Sequence, residues 1–517
     1  MLQRVITIIL LAGSLIFNSC SSIDEDTYIS ELIKLQKLIG YENIIKIDGN
    51  RRKAKEYHEI AFKKYKNKDY KQAARYWFLA LKADISWGEM YFNLACLRSI
   101  QKRAGLAIRY LKLAIQADKS MKMLNWIMKD KDLNSLKSNE EYKVFVKTAG
   151  LIAGIANKSD EKIKYYLNAG ADVNYRLING NTPLIIAAKY LEPEYLKMLL
   201  NKGADIDVVN ELKNSALITA IKNKNTPAAK FLIEKNAHLD LRNKSGDTAL
   251  IVASKTGNNE IMKLLLEKGV IINIISYYRQ NPLSVCVSKG NIEGIKLLIK
   301  NKIDINIKGY INSNALTYIC LKDITGNVSK DKKYEIAKIL IKNGINVNDK
   351  NEKGSSALPL ACLNWFPKIA KLIVKNGGDV NIRDFYNATP IMNASSSGAY
   401  ILVRFLVEHG AKINYTDKSG WTALMRAAYG GKTDIVKYLL SKGANPDLQD
   451  KAGSTALIHA VGNTRSGVCY SEEVIKTLIN KGANINLRNK DRETALTLAL
   501  KWNVTNVVKI LRKAGAE

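Results

Sequence analysis

The chain has 517 residues, of which 80 are lysine or arginine and 48 aspartate or glutamate, for a net charge of +32 and a pI of about 9.6. So basic a balance favours anionic partners, although lysine, isoleucine and asparagine are abundant throughout, as a compositional bias on solvated faces would also make them. The 6 cysteines show no paired spacing and the 4 histidines are scattered, which argues against a disulfide framework and a metal centre.

Met1 to Arg4 is short and basic, Val5 to Phe17 is almost wholly apolar, and small polar residues lead to Cys20. This reads as an export signal over residues 1–19. The tetrapeptide Phe17-Asn18-Ser19-Cys20 resembles a relaxed bacterial lipobox, which implies that Cys20 becomes the lipidated first residue of the mature protein. The competing reading is an uncleaved inner-membrane anchor, because the 19 residues from Val5 to Ile23 carry no charge. Residues 20–53 then supply a linker and a helix from about Tyr28 to Ile39 that shields the next element.

From residue 54 to 121 the pattern repeats every 34 residues: Tyr57 is answered by Tyr91, Ala61 by Ala95, Ala73 by Ala107, Ala80 by Ala114 and Asp84 by Asp118. This resembles two tetratricopeptide repeats, each an antiparallel helix pair with small residues at the crossing. Lys64 and Arg98 replace the usual aromatic residue, and Ile85 and Lys119 the closing proline. Residues 122–147 resemble the helical cap that follows such groups.

From residue 148 to 517 a leucine or isoleucine recurs at 184, 217, 250, 283, 316, 358, 391, 424, 457 and 496, in steps of 33 apart from one of 42 and one of 39. Gly170, Gly203, Gly269, Gly344, Gly377, Gly410, Gly443, Gly482 and Gly515 keep the same register, each closing an apolar helical stripe. Units that recur at such a period cannot bury their own apolar faces and must stack. Within one unit, Thr182-Pro183-Leu184 supplies a helix cap and first turn, and Gly203-Ala204-Asp205 a left-handed stop. The segment resembles an ankyrin array, without the family's usual histidine after the repeat leucine. Asn236 and Lys302 stand where a closing glycine is expected, and Leu151 begins a degenerate first repeat, which makes about eleven. Insertions are expected between the paired helices around Lys322 to Lys333 and Asn463 to Glu473. The expected fold class is therefore all-α, a two-part solenoid of tetratricopeptide helix pairs followed by an ankyrin array with short hairpin fingers.

Five residues beyond the repeat leucine stand Lys189, Lys222 and Lys255, which stacking would align into a basic ladder on the concave side. Six residues before it, at the finger tips, stand Tyr277, Tyr310 and Phe385 where other units carry lysine or glutamate. These six are the candidate partner-binding residues, since exposed aromatics carry interface energy out of proportion to their number. Tyr429-Gly430-Gly431-Lys432-Thr433 imitates the end of a phosphate loop, but Arg426 occupies a required glycine position. With no catalytic constellation, the chain is expected to be no enzyme and to need no cofactor or metal. It is read as a protein-binding scaffold on the bacterial envelope, facing periplasm or exterior, with a protein partner of acidic character and membrane contact through lipid. Nucleic acid is disfavoured. Two other readings are a secreted or surface-displayed effector of host proteins and an accessory that shields or tunes an envelope enzyme.

Overall fold

The computed structural model describes residues 51–84, 87–118, 121–321, 328–462 and 471–517. The proposed signal, Cys20, the helix at 28–39 and Cys469 lie outside these residues. Among the described residues every regular element is helical, and no helix is long and apolar enough to cross a membrane. The chain divides into two units, residues 1–270 and 271–517.

Among the described residues the first unit begins with two helix hairpins, Arg51–Lys66 with Tyr70–Ala83 and Gly88–Ile100 with Ala104–Ala117. Their geometry repeats with the 34-residue period of the sequence. Lys68 and Lys102 both take left-handed conformations at the hairpin turns, φ 60° and 59°. Asp84 and Asp118 both close a helix by donating their N–H to the carbonyls of Ala80 and Ala114 at 2.8 Å. The paired alanines Ala61, Ala73, Ala80, Ala95, Ala107 and Ala114 are fully buried, as close helix crossing requires. Helix Met121–Lys129 and a 3-10 turn, Lys131–Leu136, follow. The boundary expected at residue 147/148 falls inside a single 17-residue helix, Glu140–Ala156. Its first turns hold Tyr142, whose hydroxyl donates to the Ile127 carbonyl at 2.7 Å, and its last turns hold the buried Gly150–Gly154 stretch of the degenerate repeat. No helix-breaking residue separates the two parts, so cap and first repeat fuse.

From Leu151 onward the described residues form eleven helix pairs, four in the first unit and seven in the second. Seven of them begin in the same way. Thr182, Ser215, Asn281, Asn314, Thr422, Thr455 and Thr494 accept a hydrogen bond from the backbone N–H three residues on, capping the first helix. Nineteen residues beyond the repeat leucine the backbone turns left-handed, at Gly203 (φ 84°) and Gly443 (φ 85°) and equally at Asn236 (φ 60°) and Lys302 (φ 61°). The two exceptions therefore keep the family turn and bear a modest strain. Lys158 (φ 53°) and Gly170 (φ 80°) place the same two turns after Leu151, which puts that repeat in register.

The first insertion is partly helical: Ser329 caps Lys330–Lys342, 13 residues long where most outer helices have 9. Its added turn carries Lys333, buried with its Nζ 4.9 Å from the Phe366 ring centroid. Cys96, Cys286, Cys320 and Cys362 are buried and form no disulfide. Burial pushes the Cys320 thiol up to about 12, far from a reactive thiolate.

Candidate functional site

The loop between successive repeats forms a short finger, and three recurring bonds hold it. Seven residues before the repeat leucine, an Asn or Asp side chain closes the turn on itself: Asn243 Oδ1 accepts from the N–H groups of Ser245 and Asp247, and Asp384 Oδ1 from Tyr386 and Ala388. Ten residues before it, another Asn or Asp staples the next unit. Asn348 Oδ1 accepts from Asp379 N–H and its Nδ2 donates to the Gly377 carbonyl; Asn381 and Asn414 do the same with the following units. Finally, finger tips pair by backbone: Phe385 N–H reaches the Lys353 carbonyl at 3.4 Å, Lys418 that of Tyr386 at 2.8 Å, and Lys451 that of Ser419 at 2.9 Å. Main-chain atoms and short polar side chains secure the finger, and the tip side chain takes no part in these bonds.

Glycine four residues before the repeat leucine serves this close approach. A Cβ on Gly420 (φ 85°) would stand 2.8 Å from both Asp450 Cα and Lys451 N, whereas one on Gly410 (φ 88°) would meet nothing within 4 Å. Gly420→Val is therefore expected to cost on the order of 2–4 kcal/mol in denaturant unfolding, combining left-handed strain with a backbone clash. Gly410→Ala, which bears the strain alone, should cost about 1 kcal/mol.

In the 271–517 unit this framework presents aromatic rings to solvent. Tyr277, Tyr310 and Phe385 are 67%, 47% and 58% exposed, and the adjacent Tyr278 and Tyr386 are 68% and 70% exposed. Trp365 and Tyr429 are exposed as well. Tyr278 and Tyr310, with Gln280, Ser284, Val285, Ser288 and Tyr318, line a cavity of about 210 Å3. The Phe385 ring lies across Gly354 of the preceding finger, where an added Cβ would stand 2.7 Å from Cδ1.

The three lysines lie in the 1–270 unit, near the ends of helices Pro183–Tyr190, Ala216–Lys222 and Ala249–Thr256, and they are not equivalent. Lys222 is exposed, Lys189 Nζ lies 4.8 Å from the Tyr190 ring centroid, and Lys255 Nζ is 2.7 Å from the buried Asp247 carboxylate of its own repeat. In the 271–517 unit the same position carries Ser288, Leu321, Leu363, Ser396, Tyr429, Gly462 and, in the last repeat, Lys501. Along the inner helices, cationic residues thus give way to uncharged ones until Lys501, which pairs with Glu493 of its own repeat.

Further side chains belong to this surface beyond those expected. Trp421 stacks on His459 (centroids 4.1 Å apart) and meets Tyr429 edge-on at 5.5 Å. His459 Nε2 lies 2.8 Å from Asp450 Oδ2, and Arg426 Nη2 donates to Asp417 Oδ2 at 2.7 Å. Burial holds the His459 imidazole below its ordinary range against the opposing pull of Asp450, so the ring is a satisfied, neutral packing element. Tyr429 to Thr433 is the turn between two helices, as its failed phosphate-loop spacing implied. The doublets Tyr277-Tyr278 and Phe385-Tyr386 were the available signal for the second aromatic row.

A family model described as "Ankyrin repeats (3 copies)" matches residues 111–210, 151–243, 217–309, 326–417, 414–489 and 445–517, well over half of the chain. The chain belongs to the ankyrin-repeat family. Ankyrin repeats generally mediate protein–protein interaction and are typically non-catalytic. No curated protein matches the chain.

Proposed function

We propose that the protein is a non-catalytic scaffold of the bacterial cell envelope that holds an acidic protein partner on its ankyrin fingers. The observation that carries this reading is the row of exposed rings at Tyr277, Tyr278, Tyr310, Phe385 and Tyr386, on fingers whose own bonds do not use them. The excess of basic residues supplies the charge preference. Residues 54–121 serve as two tetratricopeptide repeats, a reading supported by the 34-residue recurrence of Lys68 and Lys102 and of the buried alanines. Affinity capture from detergent-solubilised cells, with mass spectrometry, tests the function. A partner released by salt but not by mild detergent is expected; capture of nothing above the level of an unrelated basic protein would overturn it.

The basic ladder gives a finer test. Lys189→Gln with Lys222→Gln should weaken partner binding and flatten its salt dependence while leaving the melting curve in place. Adding Lys255→Gln strands the buried Asp247 carboxylate, so the triple variant should also lose about 1–3 kcal/mol of stability. Unchanged affinity and salt slope in the double variant would assign these lysines to solvation alone.

Membrane attachment is proposed through lipid on Cys20. Metabolic labelling with a fatty-acid analogue should mark the wild-type chain and not Cys20→Ala. Each buried methylene contributes about 0.8 kcal/mol, so a single acyl chain holds only marginally and the mature protein should carry more than one. Equal labelling of both chains would remove the lipoprotein reading.

A further inference from the structure

The cavity between the fingers that precede helices Pro282–Lys289 and Ala315–Ile319 has dimensions and chemistry that specify an occupant. At about 210 Å3 it falls below the roughly 300 Å3 at which pockets begin to hold drug-sized ligands, yet it admits one large side chain. Its lining residues are Tyr278, Tyr310 and Tyr318, with Gln280, Ser284, Val285 and Ser288. Three rings around a slot favour another ring, which can pack edge-to-face or offset against each. The Ser284 and Ser288 hydroxyls already donate to the Asn281 and Val285 carbonyls, so preference for a ring bearing a polar atom falls to the Gln280 amide.

The backbone is built around this opening. The Tyr310 finger has two consecutive left-handed residues, Ile311 (φ 47°) and Asn312 (φ 55°), where its neighbours have one. Gly309 lets it pass close to the preceding finger: an added Cβ would stand 3.0 Å from the Arg279 carbonyl and 3.1 Å from Asn281 Nδ2. That amide nitrogen and the Ser313 hydroxyl are buried without a hydrogen-bond partner. Charge selects the surroundings of the ring. The two stretches that form the pocket, residues 274–292 and 305–321, contain no aspartate or glutamate, and the exposed Arg279 and Lys289 adjoin lining residues.

We propose that this pocket anchors a single aromatic side chain from an acidic segment of a partner protein, with flanking carboxylates drawn to Arg279 and Lys289. The inference rests on the reading of the array as a protein-binding scaffold and names the recognition element of that same surface.

The test uses the full chain and three fluorescein-labelled heptapeptides in low-salt buffer: Asp-Glu-Asp-Trp-Asp-Glu-Asp, the same with alanine for tryptophan, and a tryptophan peptide with serine for every acid. By fluorescence anisotropy the acidic tryptophan peptide should bind about tenfold more tightly than either of the others. Ser288→Phe, which fills the cavity, and Tyr278→Ala, which removes a wall, should each reduce its binding to the level of the alanine peptide with an unaltered melting curve. Equal affinity for the tryptophan and alanine peptides, or no change with Ser288→Phe, would overturn the pocket; equal affinity for the serine peptide would overturn the acidic preference. If Ser288→Phe still captures the cellular partner at the wild-type level, the pocket is refuted while the scaffold reading stands; if the wild type captures no partner and discriminates among no peptides, both fall.

Discussion

Deleting Asp417–Gln449, one whole 33-residue period, should leave a folded, shorter array, whereas deleting only Asp417–Lys432 should collapse its neighbourhood. The whole-period deletion joins Thr416 to Asp450, which occupies the same repeat position as Asp417 and closes its own finger with the same pair of bonds, to Ala452 and Ser454 N–H. Lys451 then stands where Lys418 donated to the Tyr386 carbonyl, and Ala456–Gly462 replaces Ala423–Tyr429 as the next inner helix. The half-period deletion instead leaves Ile435, Val436 and Leu439, all buried, without the inner helix that covers them. At about 1.5–3 kcal/mol for each fully buried side chain, their exposure alone costs on the order of 5–9 kcal/mol, an upper bound given residual burial in the unfolded chain. Circular dichroism melts should show the first variant close to wild type and the second melting far earlier or already partly unfolded. Equal behaviour of the two would contradict independent stacked units.

How much of this was readable in advance depends on which physical constraint acted on each residue. The repeat leucines and closing turns were legible because close stacking fixes both a volume and a backbone conformation at one position, and Leu250 or Gly443 satisfies each with little choice. The staples at Asn348, Asn381 and Asn414 were equally open to reading, in sequences such as Gly410-Ala411-Lys412-Ile413-Asn414, but their partner lies a full repeat away and no local rule announces it. Spacing places Lys255 in the basic ladder of candidate partner-binding residues, and its pairing is not legible there because Asp247 is eight residues earlier across a turn, outside helical spacing. Fusion of the cap with the first repeat in helix Glu140–Ala156 escaped because Thr148, a residue type that caps other repeats, stands in its middle, where its hydroxyl donates back to the Val144 carbonyl instead. The cavity beside Tyr310 was hidden for a different reason: its shape follows from left-handed Ile311, and a β-branched residue there carries none of the usual signals of such a turn.

Replacing Tyr277, Tyr310 and Phe385 together by serine should abolish capture of the main partner with little loss of thermal stability. Exposure of 47–67% means that solvent already covers much of each ring, so truncation forfeits only part of a buried side chain. Phe385 should cost the most, about 1 kcal/mol, because its ring rests on Gly354. The fingers themselves lose nothing: the Phe385 N–H bond to the Lys353 carbonyl and the Asp384 bonds to Tyr386 and Ala388 N–H involve no aromatic atom. Binding stands differently. A desolvated aromatic anchor can contribute on the order of 2 kcal/mol, and three of them, even allowing for non-additivity, suffice to lower affinity by about a thousandfold. Single variants separate the contributions, since Tyr310→Ser also opens a wall of the cavity while Tyr277→Ser does not line it. A large fall in melting temperature with capture retained by the folded fraction would instead make these rings packing elements between fingers, and the recognition surface would have to lie elsewhere on the array.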